Sequence, residues 1–331
     1  MPGLNSLAAW DLTDRLDDLA FSPDGAFLAG LSTSGQALVV RTDELSSATT
    51  WTAHAAGGLR LAWHPAGTVL ATGGLDGRVR SWSTRGSSLG DRDLGRAWVQ
   101  ALKWNPAGTL LAASCGKTLQ VLDHRFEPAW APVALPSTVE DLVWSEGGGV
   151  VAACQKGMFL CAPGREPESL VEGASPTRLA ASPRYLAWCD AQGSVMLHEH
   201  ATSKDLGFQG FAGKVSAISW SPGHRWIALG SLPCVTVWDC AGEGPSGRKP
   251  VRLWKHEDTV RACVFSPVDD LLATAGDDRG IHLWEPSASE SCLASRQAAT
   301  AVERLAWSPD GSRLASGDVH GILELLEVRR G

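Results

Sequence analysis

Lysine is scarce in this sequence, supplying seven of the 29 basic residues, and tyrosine occurs once. No segment approaches the roughly 18 uninterrupted apolar residues of a membrane span, so none is expected. Basic residues form no block. Net charge is −7, from 29 Lys+Arg against 36 Asp+Glu, whereas a nucleic-acid binder concentrates positive charge on one face, so nucleic acid is not an expected partner. The eight cysteines (115, 154, 161, 189, 234, 240, 263 and 292) include no CxxC pair. They read as small buried hydrophobes of a cytosolic chain rather than as a disulfide framework. Met1-Pro2-Gly3-Leu4-Asn5 lacks the basic region and apolar stretch of a secretory signal, which sets the expected localisation as cytoplasmic. There is no GxSxG elbow, no phosphate-cradling glycine loop and no HExxH helix, so neither an enzymatic activity nor a cofactor is expected.

Tryptophan is abundant instead, with 15 copies against seven phenylalanines, alongside 36 glycines and 18 prolines. The tryptophans belong to a recurring phrase: an apolar triplet ending in an aromatic, then Ser-Pro or a relative, a turn, and Leu-Ala. Leu19-Ala20-Phe21-Ser22-Pro23-Asp24-Gly25, Leu61-Ala62-Trp63-His64-Pro65-Ala66-Gly67 and Leu305-Ala306-Trp307-Ser308-Pro309-Asp310-Gly311 show it most plainly. Eight copies place the aromatic position at 21, 63, 104, 144, 181, 220, 265 and 307, at spacings of 42, 41, 40, 37, 39, 45 and 42. A period near 40 made of short strands and turns is the signature of a propeller blade. The 24 residues after position 307 and the 21 up to position 21 together make one further period. The last copy stops after its third strand, and Leu7-Ala8-Ala9-Trp10-Asp11-Leu12 has the pattern to supply the fourth, which would remove an unpaired sheet edge. The expectation is an all-β, eight-bladed β-propeller forming one domain over residues 1–331. Residues 1–12 supply the strand that completes the last blade and closes the ring, and 240–250 form an extended, mobile surface loop. Seven blades is the alternative, with the weak fourth or fifth copy absorbed as an insertion.

With its phrase and period, the chain resembles the WD40 repeat family over nearly its whole length. The most specific resemblance is a polar set of His before the first strand, Ser/Thr in the second, Asp in the next turn and Trp ending the third. His54, Thr72, Asp76 and Trp82 match at every position, as do His256, Thr274, Asp278 and Trp284. An imidazole between a carboxylate and a hydroxyl, with an indole N–H to satisfy, is a structural network that pins a loop. A catalytic-triad reading of His-Thr-Asp fails because the set occurs twice, 202 residues apart, with the Thr inside a strand. Five tryptophans (63, 104, 144, 220 and 307) occupy the aromatic position. Each buried indole removes roughly 150–250 Å² from water, about 4–6 kcal/mol before entropy, and reads as core.

The resemblance implies a non-enzymatic scaffold that binds protein or peptide partners on the loop face around a central channel, as a monomer or a component of a larger complex. In such rings the residue four before the aromatic position lines the channel mouth, here Asp17, Leu59, Gln100, Glu140, Thr177, Ser216, Arg261 and Glu303. Two residues further back lie Trp98 and Lys214. Trp98 faces outward in this reading, and exposed aromatics beside charges serve as interaction hot spots. Phe208 and Phe211 either extend that patch or fold back to cap blades that lack the His. The alternative function is a small-molecule- or metal-handling propeller of zinc type. It would use His, Cys and carboxylate groups at the channel mouth or in His198-Glu199-His200, whose two imidazoles share one face of a strand.

Overall fold

The computed structural model describes residues 2–190, 192–208, 211 and 213–330. Among them there is no helix, and therefore none long and apolar enough to cross a membrane. The fold is that of an eight-bladed β-propeller: eight four-stranded antiparallel sheets, one per copy of the repeat. The seven-blade alternative does not hold, because the two weakest copies each build a complete sheet. Copy four forms Val139–Trp144, Val150–Cys154, Gly157–Cys161 and Glu168–Glu172. Copy five forms Pro176–Ala181, Tyr185–Asp190, Val195–Glu199 and Lys204–Phe208. Their second strands, Val150–Cys154 and Tyr185–Asp190, are buried, largely apolar runs that pair even where the polar set is missing.

The chain divides into two compact units, Leu12–Thr177 and Met1–Asp11 with Arg178–Gly331. The first holds blades one to four. The second holds blades five to eight, apart from the first two residues of blade five. In each unit the core lies between successive sheets. Leu31, Val39, Leu61 and Leu70 pack together between blades one and two, and Ala273, Leu283, Leu305 and Leu314 between blades seven and eight.

The last blade contains strands Val302–Trp307, Arg313–Asp318 and Ile322–Arg329, and its outer strand is Gly3–Asp11 from the other end of the chain. Leu4 faces Val328 and Trp10 faces Leu323 in antiparallel register. This is the expected N-terminal completion, with the strand beginning and ending one or two residues inside the expected span.

Every aromatic position falls on the last residue of a first strand, from Phe21 to Trp307. The indoles do more than fill the core. Trp63 Nε1 donates to the Ala20 carbonyl (3.1 Å), Trp144 to Lys103 (3.0 Å), Trp220 to Ala180 (3.1 Å) and Trp307 to Val264 (3.0 Å). Each acceptor immediately precedes the aromatic position of the preceding blade, so the indole ties one blade to the next. A phenylalanine would pack but could not donate, which explains why tryptophan dominates this position. Trp104 is the exception. Its Nε1 is buried without an acceptor, and its ring meets His64 edge-on at 4.8 Å.

The 240–250 loop makes contacts within its own unit. Gly244 and Pro245 are buried, Arg248 pairs with Asp239 at 2.9 Å, and the Gly242 carbonyl accepts from Arg184. A Cβ on Gly244, which sits at φ 88°, would come within 2.6 Å of the Tyr185 hydroxyl. Glycine lets the loop lie down on blade five.

Candidate functional site

The two complete polar sets are built alike. In blade two, strands Val69–Gly74 and Arg78–Ser83 carry Thr72 and Trp82, Asp76 lies in the hairpin between them, and His54 comes from the loop before the blade. His54 Nε2 meets Thr72 Oγ1 at 2.9 Å and its Nδ1 meets Asp76 at 2.9 Å, while Trp82 Nε1 donates to Thr72 Oγ1 at 2.8 Å. In blade seven the same atoms pair at 2.9 Å from His256 to Thr274, 2.9 Å from His256 to Asp278 and 2.9 Å from Trp284 to Thr274. Burial pushes both imidazoles below their ordinary value against the pull of the neighbouring carboxylate, so they are neutral at neutral pH. The Thr hydroxyl is the hinge of each set, accepting from the indole while bridging to the imidazole. Catalysis would need a free nucleophile, and this hydroxyl is committed to both neighbours.

A fifth residue, which sequence reasoning passed over, distinguishes the sets. Arg80 lies directly across from Thr72 and closes on Asp76 at 2.6 Å, with His54 Nδ1 also 2.6 Å away. Across from Thr274 stands His282, with Nδ1 on Ser295 Oγ at 3.1 Å and its ring 4.6 Å from that of His256. Burial first, then the adjacent His256, pushes His282 down to about 4. The signal was available: both residues follow the set's Thr by eight positions.

The expected rim positions have a shared structural origin. In blades one, two, four, seven and eight the first strand bulges, and the residue left out of register is Asp17, Leu59, Glu140, Arg261 or Glu303. A bulge re-aims one side chain without breaking the sheet, a device common beside functional sites. Glu140 accepts from Gln155 at 2.9 Å, and Arg261 forks onto Asp277 at 2.6 Å and 2.9 Å. Each thereby reaches the residue just beyond the second strand of its own blade. Gln100 is half-buried and Lys214 exposed, each just ahead of its blade's first strand. Asp17 corrects the expectation: its bulge turns it inward, where it is 3% exposed and held by Arg15 at 2.8 Å, so it presents no rim carboxylate.

Trp98 is 55% exposed, on the loop ahead of blade three. Its backbone is fixed, since its carbonyl accepts from Gly116 N at 3.2 Å and that of neighbouring Ala97 accepts from the Cys115 thiol. Phe208 and Phe211 do not extend this patch. Phe208 is buried, 4.7 Å from the Trp238 ring, and Phe211 packs against the same core. Blade six has Phe211 where the His stands in the complete sets, and Phe208 meets Trp238 as Trp51 meets Trp82 beside the complete set of blade two. Trp254, at the end of the outer strand Val251–Trp254 of blade six, is 60% exposed.

Among the described residues, the His198-Glu199-His200 segment gathers no third ligand. The two rings do lie side by side at 6.2 Å, but Asp205 holds His198 Nδ1 at 2.8 Å and Glu199 is held by Arg184 and Thr202. Among the described residues, metal-ligating atoms converge in blade seven, at His256, Asp278 and His282, within 4.8 Å of one another. The cysteines are free thiols, seven of them buried. Burial pushes Cys154, Cys240 and Cys263 up to about 12 and Cys161 up to about 11, which leaves those thiols protonated and unreactive.

Residues 45–83, 248–285 and 290–324 match the family model described as "WD domain, G-beta repeat". The chain carries WD40 repeats. The first two matched stretches contain the two complete polar sets, and the third is the copy closed by the N-terminal strand. Over 125 residues the chain is 29% identical to THO complex subunit 3 of Arabidopsis thaliana, covering 37% of this chain and 39% of that protein. It is 26% identical over 262 residues to Protein HIR1 of Cryptococcus neoformans, covering 77% of this chain and 24% of that one. It is 25% identical over 268 residues to Protein transport protein sec13 of Aspergillus clavatus, covering 77% of this chain and 75% of that one. The chain thus spans well under half the length of the plant and Cryptococcus relatives. One of these relatives is by its name a subunit of a complex.

Proposed function

We propose that this chain is a non-enzymatic WD40 scaffold that captures a protein or peptide partner on the loops leading into the first strands of its blades. Trp98 is the apolar anchor. In the same unit Gln100 and the bulged Glu140 supply polar contacts beside it. Lys214, Arg261 and Glu303 occupy the corresponding positions in the other unit. The single observation that supports this reading is an indole more than half exposed on a backbone held by hydrogen bonds, because a preordered aromatic loses little entropy when a partner covers it. The name of one relative, a complex subunit, supports a role among protein partners. The cytoplasm is the proposed location, in keeping with eight free cysteines.

Affinity capture from the native host, wild type against Trp98→Asp, tests the reading. Partners recovered with wild type are expected to be lost with the variant while the melting temperature is nearly unchanged. Unchanged recovery would overturn the role of Trp98, and a large loss of stability would reassign it to the core.

A further inference from the structure

The polar set of blade seven is furnished for a guest that the set of blade two does without. Blade two has its own cation, Arg80, whose guanidinium meets both Asp76 and His54 Nδ1. Blade seven has no cation at that place. His282 stands there, and its Nδ1 is engaged by the Ser295 hydroxyl, which leaves Nε2 for another partner. His256 is supported in the same way, with Nε2 on the Thr274 hydroxyl and Nδ1 facing Asp278. An imidazole whose other ring nitrogen rests on a hydrogen-bonding group is the arrangement of a metal ligand with its outer support in place.

Space at the site is kept open by glycine. A Cβ on Gly280 would lie 2.6 Å from His282 Nε2 and 3.3 Å from Asp278 Oδ1, filling the gap between these two atoms. Gly280 has no positive φ, so its backbone does not require glycine. The corresponding residue of blade two is Arg78, two after Asp76 as Gly280 is two after Asp278.

We propose that His256 Nδ1, Asp278 and His282 Nε2 form a structural site for one divalent cation of the zinc class. Two imidazoles and one carboxylate suit such a borderline ion better than calcium or magnesium, which prefer oxygen. Binding needs His256 Nδ1 to part from Asp278, now 2.9 Å away, and a tautomer shift at His256. In that shift the proton leaves Nδ1 for Nε2 and is donated to Thr274 Oγ1 as the Thr274 hydroxyl hydrogen turns away from Nε2. That oxygen has two lone pairs, one for this N–H and one for the Trp284 indole. The ion supplies the positive charge that Arg80 supplies in blade two, and it fastens the loop that carries His256 to the turn that carries Asp278 and Gly280.

The test is calorimetric titration of ZnCl2 into the chelator-treated 331-residue chain, with Co2+ absorption as a second readout. Wild type is expected to take up one Zn2+ per chain, to melt at a higher temperature when loaded, and to give visible Co2+ bands of a tetrahedral nitrogen and oxygen site. His282→Arg copies the arrangement of blade two, so it is expected to melt no lower than the metal-free wild type. Both His282→Arg and Gly280→Ala are expected to weaken Zn2+ binding at least about tenfold, while His198→Gln leaves it unchanged. Absence of Zn2+ uptake by wild type, undiminished uptake by the two blade-seven variants, or loss of uptake in His198→Gln would each overturn the site.

Discussion

Blade two and blade seven carry the same four residues at the same spacings, and in both the threonine joins an imidazole to an indole at 2.8–2.9 Å. They part company at the residue across the sheet from that threonine. In blade two Asp76 answers a guanidinium: burial alone would raise its pKa, but the Arg80 and His54 bonds together hold it below the usual carboxylate value. In blade seven Asp278 has no guanidinium. Burial again works to raise it, and His256 with the backbone N–H groups of Glu257 and Gly280 holds it down. One signature therefore fixes a shape, and a single further position fixes its electrostatics.

Removing the carboxylates should give the largest contrast. Asp76→Asn leaves the Arg80 guanidinium half-buried without its closest counter-ion, at an expected cost of about 3 kcal/mol in urea unfolding. Asp278→Asn removes only hydrogen bonds and should cost about 1–2 kcal/mol in metal-free protein. Equal costs would erase the distinction. Removing the shared hinge should instead treat the blades alike: Thr72→Val and Thr274→Val are each expected to cost about 2 kcal/mol, because the isosteric change strands an indole N–H and an imidazole nitrogen. A large inequality would mean that the sets are not built alike. The smallest effect is that of pH. Burial holds folded His54 below its ordinary 6.5, so the unfolded chain takes up a proton first. That contribution is fully present above pH 6.5 and declines on acidification, by at most about 1.4 kcal/mol per pH unit. His54→Gln should flatten the stability profile just below pH 6.5 by that share, even though it lowers stability throughout.

Much of this was legible from sequence, for identifiable reasons. Blade number, strand ends and the completing N-terminal strand follow from a repeat whose aromatic position must end a strand in every copy. The two sets were readable because four residue types recur at fixed offsets. Their fifth members were not, since Arg80 and His282 share an offset but no chemistry, and only pairing across the sheet brings them to the threonine. Asp17 was misplaced because spacing locates a bulge without telling which way it aims the side chain. Phe208 and Phe211 were ambiguous because an aromatic in a degenerate blade serves either surface or core. The pairing with Trp238 decides it, and that contact joins blades five and six. The indole ties between blades escaped because their acceptors are carbonyls, which any residue supplies.

The tryptophans divide into framework and surface, and equilibrium urea unfolding of wild type, Trp82→Phe and Trp98→Asp tests that division most directly. Trp82 is buried and donates to Thr72, so its variant should lose about 2 kcal/mol, whereas Trp98→Asp should stay within about 0.5 kcal/mol of wild type. A Trp98→Asp protein destabilised as much as Trp82→Phe, or a Trp82→Phe protein as stable as wild type, would contradict it.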